Sequence, residues 1–166
     1  MSKNLLAEIF SLSAKLVKIS RSSGITLATA ESCTGGLIGA AITATPGSSA
    51  VFQGGIIAYD NNVKINQLSV KLATIKAHGG VSQAVAEEMA LGCREALNVD
   101  LAISVTGIAG PGGGTDKKPV GTVWIGLATK DGVTSALYNF PDLSRNKVRD
   151  HACLAAITTL IDAVSV

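Results

Sequence analysis

Residues 25–42 read I-T-L-A-T-A-E-S-C-T-G-G-L-I-G-A-A-I. The first six are apolar or β-favouring, with Ile25, Thr26 and Thr29 suited to a strand. The last six form an apolar, small-residue run that reads as the body of a helix. A buried strand feeding a helix is the unit that α/β folds repeat. Between the two elements, on the bend, stand Glu31, Ser32, Cys33 and Thr34. One reading is helix capping, since Ser and Thr oxygens accept orphan backbone N–H bonds. The other is a nucleophile on a turn whose free N–H groups can stabilise an oxyanion. Spacing alone leaves both open.

Working outward, Leu5, Ile9, Leu12, Leu16 and Ile19 step by three and four, predicting an amphipathic helix over 4–19. Ser22-Ser23-Gly24 breaks it before the strand at 25–30. The helix after the bend spans about Cys33 to Thr43, and Pro46-Gly47-Ser48-Ser49 ends it in a loop. Residues 51–59, V-F-Q-G-G-I-I-A-Y, read as a strand ending at Tyr59, its glycine pair marking a bulge or close backbone approach. Asp60-Asn61-Asn62 is a turn and cap, and 62–77 holds one or two short helices. Val81, Val85, Met89, Cys93 and Leu97 are spaced by four behind Ser82, a further capped helix. Residues 101–105, L-A-I-S-V, are a continuous apolar strand of the kind buried on both faces. After a glycine-rich loop, G-T-V-W-I-G-L-A-T and V-T-S-A-L-Y-N-F flank Lys130-Asp131-Gly132, a hairpin signal. A last helix starts near Ser144. The order α-β-α-β-α-α-β-β-β-α predicts a three-layer α/β/α sandwich, with a mixed sheet because the late hairpin must be antiparallel. No repeat or linker interrupts it, so one domain over 1–166 is expected.

Composition narrows the function classes. The chain has 166 residues, 47% hydrophobic and only 16% charged, with a net charge of +2. So weakly charged a surface predicts self-association into a homo-oligomer, a dimer or larger. The basic residues are scattered, and one Trp, two Tyr and three Phe make no stacking platform, so no nucleic-acid partner is expected. Three cysteines, Cys33, Cys93 and Cys153, lie far apart and suggest neither a disulfide framework nor a zinc site. They suit a reduced, cytoplasmic protein. Glu8 and Lys15 interrupt any signal-peptide core, and no apolar run approaches the ~18 residues of a membrane span. A membrane partner is therefore not expected either.

Few constellations could carry chemistry. The loop T-G-I-A-G-P-G-G-G-T at 106–115 is not a Walker A motif, because Gly113 and Gly114 stand where Lys and Ser/Thr are needed. Nor does a dinucleotide fingerprint open a helix here. The loop is either an N–H nest for an anion or a flexible connection. Its place after a buried strand favours a ligand, since α/β ligands gather at the carboxyl ends of strands. If the strands at 25–30 and 101–105 are parallel neighbours, Ser32 and Thr106 share one rim. A base for Ser32 is harder to find. His78 reads as a helix end and His151 as helix interior, so a Ser-His triad lacks support. Lys64, just past the second strand, is the alternative if desolvation neutralises it, and a solvated surface residue if not. Arg145 and Arg149, four apart, could share one face and grip a phosphate, or pair with Asp142 and Asp150 in solvent. No metal-ligand spacing occurs, so neither metal nor cofactor is expected.

Several motifs come in a fixed order. They are T-A-E-S-C-T-G-G at 29–36, P-G-S-S at 46–49, A-Y-D-N-N-V-K at 58–64, S-V-T-G-I-A-G-P-G-G at 104–113 and K-P-V-G-T-V-W at 118–124. Together they resemble the CinA C-terminal domain family, which includes stand-alone nicotinamide-nucleotide amidases, over about residues 5–163. The resemblance implies hydrolysis of the carboxamide of nicotinamide mononucleotide to nicotinate mononucleotide and ammonia, without metal or cofactor. It implies Ser32 as nucleophile, with Tyr59 and Lys64 activating it and shuttling its proton. Glu31, Cys33, Thr34 and Gly35 of the first motif would line the substrate site. So would Ser48 of the second, and Thr106, Gly107, Ala109 and Gly110 of the fourth. Arg145 would bind phosphate. Larger members of the family carry an additional N-terminal domain similar to molybdopterin-cofactor-binding proteins, for which 166 residues leave no room. Two alternatives stay open: a non-catalytic nucleotide-binding module linked to competence or DNA damage, and an amidase acting on another nucleotide.

Overall fold

The computed structural model describes residues 2–165. In chain order its elements are α1 (Ser2–Ser23), β1 (Leu27–Glu31), α2 (Leu37–Thr43), a 3-10 turn (Ser48–Ala50), β2 (Phe52–Ile57), α3 (Asn61–Leu68), α4 (Leu72–His78), α5 (Gln83–Leu97), β3 (Leu101–Gly107), β4 (Thr122–Thr129), β5 (Gly132–Asn139) and α6 (Arg145–Val164). The strands form one sheet in the order β2-β1-β3-β4-β5. The first three are parallel, and the β4–β5 hairpin joins antiparallel to β3. The expected mixed sheet between helical layers is therefore what the chain forms.

Alternation along the strands sets the two layers. Leu27 of β1 and Ile103 and Val105 of β3 point into a core with Leu16 of α1, Ile42 of α2 and Leu160 of α6. Leu16, Ile42 and Leu160 are fully buried, and each such side chain contributes about 1.5–3 kcal/mol. Ala28, Ala30 and Ala102 face the other way, toward Leu68 of α3 and Val85, Met89 and Cys93 of α5. Small residues on that face let α5 lie close to the sheet. Ser104 Oγ, from β3, donates to the carbonyl of Ala86 on α5 at 2.6 Å. At Gly92 of α5 a Cβ would collide with the Leu68 carbonyl, so α3 and α5 touch backbone to backbone.

The parallel pairing of β1 with β3 holds from Leu27↔Leu101 to Glu31↔Val105. Ser32 extends it by donating its N–H to the Val105 carbonyl at 2.9 Å. Ser32 and Thr106 thus share a rim, as their placement after neighbouring strands required. The glycine pair of β2 sits beside an irregularity: Leu27 pairs with Phe52 but Ala28 with Gly54, leaving Gln53 as the extra residue. A Cβ on Gly55 would run into Thr29 Oγ1.

Some boundaries differ from expectation. Tyr59 lies beyond the end of β2. Thr106 and Gly107 belong to β3 rather than to the loop after it. The segment 62–77 splits into α3 and α4 because Ser69 takes a left-handed conformation, φ 55°. Most consequentially, α2 starts at Leu37 and not at Cys33, leaving residues 32–36 as a turn. No helix among the described residues is long and apolar enough to cross a membrane.

Candidate functional site

The turn that carries Ser32 is closed by the Gly35 N–H donating to the Ser32 carbonyl at 3.0 Å. Gly35 and Gly36 hold φ of 61° and 97°, which side-chain-bearing residues rarely adopt. Neither Ser32 nor Thr34 caps α2, which corrects the capping reading. The cap is Glu31, the last residue of β1. Its carboxylate accepts the N–H of Gly36 at 3.0 Å, Ile38 at 3.1 Å and Gly39 at 2.9 Å. With that task met by the preceding strand, the Ser32 hydroxyl is left uncommitted.

Ser32 opens onto a cavity of about 320 Å³ at the carboxyl ends of the parallel strands, a size suited to a small molecule. Ser32 and Cys33 line it from the turn, and Tyr59, Asn61 and Lys64 from the β2–α3 junction. Gly80 and Val81 line it from the segment before α5, Gly107 and Ala109 from the end of β3, and Arg145 from α6. Hollows of about 410 Å³ and about 670 Å³ lie elsewhere, but neither contains a buried ionisable amine. Among the described residues no group of His, Cys, Asp and Glu gathers as metal ligands would.

Lys64 is only 3% exposed. Asp60 caps α3 by accepting from the Asn62 N–H at 2.8 Å, which fixes the helix that carries the lysine. Lys64 Nζ donates to Asn61 Oδ1 at 3.3 Å, a neutral partner one helical turn away. Burial lowers its pKa from 10.5, with the nearby Asp60 carboxylate opposing the shift. The amine therefore lies in the cavity of Ser32 in surroundings that favour its neutral, basic form. Cys33, beside the serine, is driven the other way: burial pushes its thiol up to about 11, so it stays protonated at neutral pH.

Arg145 bridges the mouth of the cavity. Its guanidinium donates to the Tyr59 hydroxyl and to the Gly110 carbonyl, both at 2.8 Å. Five N–H donors leave the group able to bind an anion as well. Arg149 does not join it, which corrects the paired phosphate grip. It reaches instead under the Ser32 turn, donating to the carbonyls of Cys33 at 3.1 Å and Thr34 at 3.0 Å.

Of the residues expected at the site, Ser32, Tyr59, Lys64, Cys33, Gly107, Ala109 and Arg145 come together around the cavity. Glu31 does not: its carboxylate is spent on α2. Thr34 is fully buried, its Oγ1 without a hydrogen-bond partner among the described residues, and Gly35 shapes the turn behind Ser32. Thr106 Oγ1 donates to the Gly80 carbonyl at 2.7 Å and so acts on the cavity wall from outside. Gly110 contributes the carbonyl that holds Arg145. Ser48 starts the 3-10 turn before β2, at the amino end of the sheet, opposite the cavity rim. His78 ends α4, and His151 stacks on Phe140 with ring centroids 5.5 Å apart, so neither histidine serves Ser32.

Sequence reasoning missed Asn61, Gly80 and Val81. Asn61 stands three residues before Lys64 on one helix face, a spacing that could have flagged it. The Gly80–Val81 wall had no local signal. It is held from afar by Lys118, whose Nζ donates to the carbonyls of His78 at 2.5 Å and Val81 at 2.7 Å.

The model of the CinA C-terminal domain family matches residues 9–164. A CinA-like protein of Citrifermentans bemidjiense is 49% identical over 146 residues, which cover 88% of this chain and 35% of that protein. A CinA-like protein of Cyanothece sp. is 50% identical over 151 residues, 90% of this chain and 36% of the other. The chain thus spans about a third of the length of the curated relatives it matches. Among solved structures, a competence/damage inducible protein from Agrobacterium tumefaciens superposes with a TM-score of 0.93 at 37% identity, covering 96% of each chain.

Proposed function

This chain belongs to the CinA C-terminal domain family, and we propose that it is a cytoplasmic amidohydrolase converting nicotinamide mononucleotide and water to nicotinate mononucleotide and ammonia. The observation that carries the proposal is the buried Lys64 amine sharing one cavity with the uncommitted Ser32 hydroxyl. An amide needs a nucleophile, a donor for the developing oxyanion and a proton for the departing nitrogen. In this reading the neutral Lys64 amine takes the Ser32 proton as Oγ attacks the carboxamide carbon. The N–H of Cys33, the turn residue that lines the cavity beside Ser32, stabilises the oxyanion. Lys64 then hands the proton to nitrogen, and ammonia leaves a Ser32 acyl ester. Water attacks that ester, again with Lys64 as base, releasing the carboxylate. Tyr59 assists the proton transfers from the mouth of the cavity, its hydroxyl oriented by Arg145. The Arg145 guanidinium supplies the positive charge that a nucleotide phosphate requires.

The test is ammonia release from nicotinamide mononucleotide by the wild-type chain and by Ser32→Ala, in chelator, with free nicotinamide as control. Release by the wild type alone, and from the nucleotide alone, is the expected result. Equal release by both proteins would exclude Ser32 as nucleophile. Binding of the nucleotide without any ammonia would replace the amidase with a binding module.

A further inference from the structure

We propose that Asn61 is a positioning residue for this chemistry: its side-chain carbonyl is the neutral acceptor that holds the Lys64 amine in the Ser32 cavity while leaving that amine free to take a proton. The inference rests on the amidase reading above. Asn61 opens α3 and lines the cavity together with Lys64 and Ser32. Lys64 Nζ donates to Asn61 Oδ1 at 3.3 Å. The cavity wall backs the amide: a Cβ on Gly80 would stand 2.5 Å from Asn61 Oδ1 and 3.4 Å from Nδ2. Gly80 has no positive φ that would call for glycine, so what its missing side chain provides is room for this amide. Thr106 Oγ1 fixes the same wall from behind by donating to the Gly80 carbonyl.

An ammonium is a donor only, whereas the neutral amine keeps a lone pair beside its N–H groups. An acceptor at Nζ takes one N–H in either state, so the lone pair stays available for the Ser32 proton. A carboxylate in the same place would hold the amine as an ammonium. The charged and titratable groups around Lys64 leave this task to Asn61. The Asp60 carboxylate caps α3 by accepting the Asn62 N–H at 2.8 Å and reaches Lys64 only as a nearby charge. From the turn after β1, Cys33 presents a protonated thiol. Tyr59 and the Arg145 guanidinium pair with each other at the mouth. The end of β3 and the segment before α5 present Gly107, Ala109, Gly80 and Val81, none of them ionisable, with Lys118 behind Val81. On α5, Glu88 accepts from the Lys71 N–H and the Thr74 hydroxyl, Glu87 from Gln83 and Ser135, and Arg94 donates to the Asp100 carbonyl. Glu95 is exposed in the last turn of that helix. Among the described residues, Asn61 Oδ1 is the acceptor that Nζ meets.

The experiment compares wild type, Asn61→Asp and Asn61→Ala in steady-state turnover of nicotinamide mononucleotide across pH, with the folded fraction of each measured by circular dichroism. Asn61→Asp keeps the shape of the side chain and puts a carboxylate in the first turn of α3, which the helix dipole favours. The rising limb of its kcat/KM is expected to move about 1–3 pH units to the alkaline side, with activity recovered on the plateau beyond. Asn61→Ala removes the acceptor. It is expected to lower kcat about 10²-fold, the scale of a reacting group misplaced by about 1 Å, with KM little changed and no alkaline movement of the limb. It carries the test if Asn61→Asp does not fold. An unmoved limb in Asn61→Asp overturns the inference, and so does a loss of kcat in Asn61→Ala no greater than the unfolded fraction. A raised KM at constant kcat in either variant also overturns it, by making Asn61 a substrate ligand. Absence of turnover in the wild type overturns the amidase reading and this inference with it. Wild-type turnover, with an unmoved limb and normal kcat in the variants, overturns this one alone.

Discussion

A lysine that is 3% exposed, with a neutral amide as the hydrogen-bond partner of its amine, is a costly thing to fold around. Transferring a lone ammonium out of water is strongly unfavourable, and the usual response is a lowered pKa. The sign of the linkage follows. Between the depressed pKa of folded Lys64 and its ordinary value of 10.5, the unfolded chain binds more protons than the native one. Stability contributed by this residue therefore rises with pH through that window and is lost as pH falls to the folded pKa. Lys64→Met keeps the apolar stem and removes the charge. It is expected to abolish turnover, raise Tm at neutral pH and flatten the rise of stability toward alkaline pH. In the wild type, kcat/KM should climb with pH to a plateau as the amine loses its proton. Scanning calorimetry across pH, beside a pH–rate profile, checks both. A variant less stable than wild type at neutral pH would show that the ammonium is well solvated after all. The same residue shows the limit of a sequence: a lysine two residues past a turn reads as solvent-facing, and only the convergence of the cavity walls around α3 buries it.

The turn of residues 32–36 is an element set by its neighbours. Glu31 supplies a single carboxylate to three backbone donors, so the cap of α2 comes from the strand before the turn. Glu31→Gln retains one acceptor oxygen but sets an NH₂ group against a backbone N–H. Leaving one buried donor unpaired costs about 1–3 kcal/mol, the loss expected in urea unfolding. Because the turn carries Ser32, kcat should fall with little change in KM. Wild-type stability in Glu31→Gln would mean that water caps α2 adequately. Elements with their own periodicity, such as α1, α5, β1, β3 and the β4–β5 hairpin, were legible because each repeats its pattern over two or more turns or pleats. The turn stayed open between two readings because cap preferences favour Ser and Thr, and nothing local says that a glutamate five residues upstream will do the work. Arg149 was misread for the same reason. Its spacing from Arg145 is helical, yet the two side chains go to different partners.

At the scale of the molecule, the cavity is assembled where elements distant in sequence converge. The turn after β1, the β2–α3 junction, the end of β3, the segment before α5 and the start of α6 each contribute a wall. Clamps between those walls come from side chains: Arg145 to Tyr59 and Gly110, Thr106 to Gly80, and Lys118 to Val81. The motif residues on the walls were legible, while these clamps join positions up to 86 residues apart and needed the fold. A nucleotide bound there would touch both core layers through their shared rim and oppose their separation. Ligand that binds only the native state stabilises it by about 2.7 kcal/mol at roughly a hundred times its Kd. For a chain of this size that corresponds to a rise in Tm of about 5–10 °C. Ser32→Ala permits the measurement without turnover, and nicotinamide mononucleotide is expected to shift it far more than nicotinamide, which lacks the phosphate that Arg145 is proposed to bind. Arg145→Met in the same background should lose most of the shift while keeping its own Tm near that of Ser32→Ala. Equal shifts from the nucleotide and from free nicotinamide would move recognition from the phosphate to the ring. A shift with neither would place the nucleotide outside this cavity altogether.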